Sequence, residues 1–135
     1  GQITSGACMI SQKAAVAALN GPVSPTTEMR EGFRTRRDWM AKKLQAIPGL
    51  HSNNPPGAFY FFPDFSAFFG RKTPKGELIE TIDQLCHYLL HEGLVAIIPG
   101  SAFGTKKHAR ISYAYNMGIL EKGVENLAKA LKALS

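Results

Sequence analysis

Cysteine is scarce in this chain. Only Cys8 and Cys86 occur in 135 residues, far apart and at no metal-ligand spacing, so they read as reduced core thiols of a cytosolic protein. A chain of this length suggests one domain and buries a core without disulfides. Long apolar runs are also missing. The best of them, "GLVAIIPG", is far too short to cross a bilayer, and no membrane partner is expected. No basic start followed by an apolar stretch marks a signal peptide. Repeats and low-complexity tracts are absent, as is any Ser/His/Asp, Cys/His or paired-carboxylate arrangement. No initiator methionine opens the chain, and "GQITSGACMI" begins as if inside a longer sequence, so a fragment is expected.

What is present is ordinary globular composition: 44% apolar and 19% charged residues. The formal charge of +6 could serve an anionic partner. However, Arg30, Arg34, Arg36 and Arg37 are interleaved with Glu28, Glu31 and Asp38, as on a solvated helix face. No Lys/Arg run tracks a nucleic-acid backbone, so no nucleic acid is expected.

Periodicity and punctuation predict the elements. Residues 8–20 are alanine-rich and end at "GP", a helix with a stop signal. A longer helix follows from Ser24, a candidate N-cap with Pro25 at the first helical position, to the "IPG" at 47–49. Met29, Phe33, Met40 and Leu44 share a face of it. "GLHSNNPPG" predicts a short strand and a turn, and "GAFYFFPDF" a clear strand. Residues 70–76 form a polar loop. Residues 77–92 form a helix with a stripe of Ile79, Ile82, Leu85, Cys86, Leu89 and Leu90, terminated by Gly93. "LVAIIPG" predicts a short buried strand, "SAFGTKKHA" a loop and "RISYAYN" another strand. The last helix turns Ile119, Val124, Leu127, Leu131 and Leu134 to one side. The order α-α-β-β-α-β-β-α lacks strict βαβ alternation. It predicts an α+β fold, with helices packed on one face of a small, largely antiparallel sheet.

Within "RISYAYN", alternation places Ile111 and Tyr113 on one face and Arg110, Ser112 and Ala114 on the other. Arg110 is thus left at the strand's start, just after a glycine-bearing loop. A guanidinium is a rigid fork that matches a carboxylate in a bidentate way. From spacing alone the plainer reading is an arginine paired with a local acid or simply exposed, since most arginines lie at the surface. "PGSAFG" could cradle an anion, but it lacks a P-loop lysine and a following helix, so a structural turn is the default. His87 and His91 stand at i, i+4, a spacing that can hold a metal on a helix. No glutamate adjoins the first and no third ligand is apparent, so surface histidines are expected and no metal. In "GAFYFF", Phe59 and Phe61 share one face and Tyr60 and Phe62 the other. Core packing is a stronger account of them than base stacking.

Taken in order, "GQITSGACMISQKAAVAALNGP", "MREGFRTRRDWMAKKLQAIPGL", "PPGAFYFFPDFS", "LLHEGLVAIIPGSAFG" and "ARISYA" resemble the C-terminal part of a class I (fold-type I) aminotransferase. These are enzymes that use pyridoxal 5'-phosphate, and the pattern looks closest to the aspartate/prephenate branch. The resemblance runs along almost the whole chain. It implies that residues 1–23 lead from a cofactor domain and that residues 24–135 form the small domain that closes over the substrate. It implies that Arg110 binds the substrate's α-carboxylate and that Phe59 lines the pocket. It also implies a cytoplasmic parent, a homodimer, moving an amino group between an aspartate- or glutamate-type amino acid and a 2-oxo acid. The imine-forming lysine, the aspartate on the pyridine nitrogen and the phosphate-binding groups would all lie upstream of Gly1, since no lysine here stands in the family's Ser-x-x-Lys context. No catalytic or cofactor-binding residue is therefore expected in this chain, and alone it should be inert. The rival readings are a freestanding non-catalytic α+β module that binds an anionic partner, and a structural role in assembly.

Overall fold

The computed structural model describes residues 5–135. The first four residues of the expected lead-in segment lie outside the described residues. The chain divides into two compact units, one ending at Gly32 and the other spanning Phe33–Ser135. In the first, α1 (Met9–Asn20) buries no residue, and the exposed Cys8 just before it corrects the expectation of a core thiol. The second helix, α2 (Ser24–Gln45), crosses the division. Its first helical bond runs from the Thr27 N–H to the Val23 carbonyl (3.0 Å), so Ser24 lies inside the first turn and is not the cap. Met29 is exposed, whereas Met40 and Leu44 are buried as the stripe predicts.

The second unit holds an antiparallel sheet of three short strands in the order β1–β3–β2: β1 (Tyr60–Phe61), β2 (Ile98–Pro99) and β3 (Ala109–Ser112). Two more helices, α3 (Ile82–His91) and α4 (Met117–Lys132), complete the α+β fold that the element order predicts. The expected strand after α2 shrinks to one bridge, His51 to Asp64. Pro55, Pro56 and Pro63 lack the N–H that would extend it.

The helix expected over 77–92 starts later, at Ile82. Thr81 caps it, its hydroxyl accepting from the Gln84 N–H, while the Gln84 side chain accepts from the Thr81 N–H. Residues 70–79 instead fold back on themselves, with Lys72 bridged to Leu78 and the Thr73 N–H donating to the Glu77 carbonyl (2.8 Å). Ile79 is still buried, from that loop, and Leu90 is exposed.

The "LVAIIPG" strand is also shorter than expected. Leu94 takes a left-handed φ of 53° and turns the chain, so only Ile98 and Pro99 reach the sheet. Val95 and Ile97 go inward while Leu94 and Ile98 stay exposed. Along α4, Val124, Leu127 and Leu131 join the core, but Ile119 in the first turn does not. The Tyr88 hydroxyl donates to the Ala130 carbonyl (3.0 Å), a buried bond that ties α3 to α4.

Candidate functional site

The central strand β3 presents the site. Ile111 and Tyr113 point into the core, and Arg110 and Ser112 stand half-buried on the opposite face, as alternation requires. Arg110 pairs with Ile98 on one side, and its neighbour Ser112 pairs with Tyr60 on the other. Tyr60 therefore sits diagonally across from Arg110, within reach of a long side chain. The guanidinium carbon lies 5.6 Å from the Tyr60 ring centre and 4.8 Å from that of Phe103. Among the described residues no carboxylate forms an ion pair with Arg110; the ion pairs of Asp38, Asp64 and Glu92 are with Arg37, Lys107 and Lys75. The alternative of a local acid partner finds no support here.

Phe59 lies on the same groove as Arg110. This concavity of about 560 Å³ is walled by Ser112 and Tyr115 and by apolar side chains such as Ile98 and Ile119. The segment carrying Phe59 is fixed by the strand beside it. The Tyr113 N–H donates to the Phe59 carbonyl and the Tyr113 hydroxyl to the Ala58 carbonyl, both at 2.8 Å. Ala58 takes a left-handed φ of 63° and turns the chain just before the strand. Phe61 fills the core and Phe59 is left half-exposed over the groove.

The "PGSAFG" segment is a single 3₁₀ turn, Gly100–Phe103, closed by Gly104 at φ 80°. Glycine at position 100 is needed for space: a Cβ there would lie 2.4 Å from the His108 carbonyl oxygen. The Gly100 N–H donates to that carbonyl (2.7 Å), and the Ser101 hydroxyl to Asp83 on α3 (2.8 Å). The result is a rigid turn that ends on Phe103. Neither Phe103 nor Tyr60 stood out as a site residue in the sequence. The only signal was the aromatic in "SAFG" close before the arginine strand, and contact between them depends on the fold.

His87 and His91 lie on α3 with ring centres 4.3 Å apart, but no group of three metal-ligating side chains exists among the described residues. Cys86 is packed in the core, and burial, helped by the nearby Asp83 charge, pushes its thiol up to about 12. No helix among the described residues is long and apolar enough to cross a membrane.

A lone guanidinium framed by aromatic faces over a largely apolar groove can receive a carboxylate attached to an organic body. Comparison with known proteins shows the family. The family model for aminotransferase class I and II matches residues 2–131. This chain belongs to the class I and II aminotransferases. It is 45% identical over 134 residues to an aspartate aminotransferase of Rhizobium meliloti (strain 1021), covering 99% of this chain and 33% of that protein. A bifunctional aspartate aminotransferase and glutamate/aspartate-prephenate aminotransferase of Petunia hybrida is 44% identical, over 96% of this chain and 28% of its own length. The crystal structure of the aspartate aminotransferase from Rhizobium meliloti superimposes with a TM-score of 0.94 at 44% identity, covering 99% of this chain and 34% of that one. The chain thus spans about a third of the length of these aminotransferases.

Proposed function

We propose that this chain acts as the substrate-closing small domain of an aspartate-type aminotransferase, with Arg110 as the group that binds the α-carboxylate of both amino acid and 2-oxo acid. The observation that carries the reading is Arg110 itself: a half-buried arginine whose guanidinium lies against the Tyr60 and Phe103 rings, with no carboxylate ion pair among the described residues, lining a groove shared with Phe59. Burying a cation without a partner is unfavourable unless a ligand supplies the counter-charge. Phe59 is the apolar wall beside the fork, placed to pack on the substrate's carbon skeleton. The 45% identity with an aspartate aminotransferase supports aspartate- or glutamate-type substrates.

The family implies pyridoxal 5'-phosphate as the cofactor of the whole enzyme. The groove around Arg110 does not fit that group by itself. Its described lining has no lysine to form an imine and no carboxylate to pair with a pyridine nitrogen. In this reading the cofactor site belongs to the rest of a longer protein, a homodimer in the cytoplasm. The present chain contributes substrate binding and orientation. The isolated chain is then inert in a transaminase assay.

The test is substitution in the intact enzyme. Arg110→Ala removes a bidentate charge-assisted contact and should lower kcat/KM for both substrates by about 100-fold or more. Arg110→Lys should recover only a small part of this, because an ammonium is a point charge without the fork. Near-parental steady-state kinetics in either variant would sink the assignment.

A further inference from the structure

An arginine at the end of a flexible stem binds a carboxylate well only if its rotamer is settled beforehand. The two rings that frame Arg110 are held differently. Tyr60 is a strand residue opposite Ser112. Phe103 ends the rigid Gly100 turn and is braced from behind. The Phe62 ring meets it edge-on at 6.0 Å, and Phe62 in turn stacks on the His108 imidazole at 5.2 Å, with 14° between their planes. The His108 Nδ1 lies 2.7 Å from the Thr105 hydroxyl, which fixes that imidazole. An unbroken aromatic file therefore runs from His108 through Phe62 and Phe103 to Arg110.

We propose that Phe103 is a positioning residue for the carboxylate site: its ring face, backed by Phe62 and His108, holds the Arg110 guanidinium in its binding orientation. The inference rests on the reading of Arg110 given above. The ring faces attract the cation, and they shield it from water without offering a competing hydrogen-bond acceptor. A carboxylate then approaches a fork whose freedom is already spent. Phe103 itself is half-exposed, so truncating it leaves no large core cavity.

The experiment measures KM and kcat in the intact enzyme for Phe103→Leu and Phe103→Tyr, each made alone and together with Arg110→Ala. Phe103→Leu should raise KM for the amino acid and for the 2-oxo acid alike, by roughly 3- to 30-fold, with a smaller change in kcat. Phe103→Tyr, which keeps the ring face, should restore near-parental values. In the Arg110→Ala background, Phe103→Leu should add nothing. Parental KM values in Phe103→Leu beside a defective Arg110→Ala would overturn the positioning role and leave Arg110 standing. The same holds if Phe103→Leu has equal effects in both backgrounds, or loses kcat and thermal stability with KM unmoved. Parental kinetics in Arg110→Ala would instead overturn the reading on which the inference rests.

Discussion

At the scale of single residues, charge placement separates two kinds of basic group. Lys107 is a structural cation, 2.9 Å from the Asp64 carboxylate. Asp64 also joins the bridges to His51 and His108 and accepts from the Ser66 N–H at 2.8 Å. Partial burial alone would raise its pKa. The hydrogen bonds from the Ser66 hydroxyl and N–H, together with Lys107, outweigh that and hold the carboxyl at about 2. A depressed folded-state pKa means that the stabilisation is complete above the unfolded value near 3.8 and disappears as pH falls through about 2. Asp64→Asn should thus cost on the order of 1 kcal/mol at neutral pH, after allowance for solvent screening, and flatten the acid limb of stability between those values. Urea titrations of both proteins across that range check it, and an unchanged slope would contradict it. Arg110 is the opposite case, a cation whose surroundings supply aromatic faces and no acid among the described residues. Its alternation and neighbours were legible in "ARISYA". The rings around it were not, because Tyr60 comes from fifty positions away and the Phe103 ring reaches Arg110 only through the fold of the intervening turn.

At the scale of elements, boundaries are decided by short polar signals more than by apolar stripes. The stripe from Ile79 to Leu90 suggests one continuous helix, yet the Thr81–Gln84 capping box begins it at Ile82. The pattern T-x-x-Q was present in the sequence as a start signal. The apolar Ile79 obscured it, since a buried loop residue and a buried helix residue look alike in one dimension. Thr81→Ala should destabilise the second unit by about 1 kcal/mol, because the Gln84 N–H in the first turn loses the hydroxyl that accepts from it. Chemical denaturation monitored by far-ultraviolet circular dichroism would read this, and a loss below about 0.3 kcal/mol would mean that water replaces the cap without cost. The strands are shorter than their apolar runs for a related reason. Prolines at 55, 56, 63 and 99 remove donors, and the left-handed Ala58 and Leu94 bend the chain out of register.

At the scale of the whole molecule, the two units differ in what holds them together. The unit Phe33–Ser135 has a continuous core that includes Leu44, Phe61, Phe65, Leu85, Leu89, Leu127 and Leu131. The unit ending at Gly32 contains α1, twelve residues long with none buried. A helix of that length without a packed face is marginal in water. Hydrogen exchange on this chain should therefore show α1 amides exchanging close to the unprotected rate, and α3 and α4 amides protected up to the global unfolding free energy. Comparable protection in α1 and α4 would refute that division. From the sequence alone came the α+β class, the face on which Arg110 stands and membership of a family, because alternation, helix periodicity and motif order are properties of the chain in one dimension. The tertiary structure decided where helices and strands stop, that Cys8 is exposed while Cys86 is buried, and that the Tyr60 and Phe103 rings meet Arg110 while Phe59 lines its groove. Those outcomes depend on which side chains packing brings together and how it orients them, and one-dimensional patterns do not carry that.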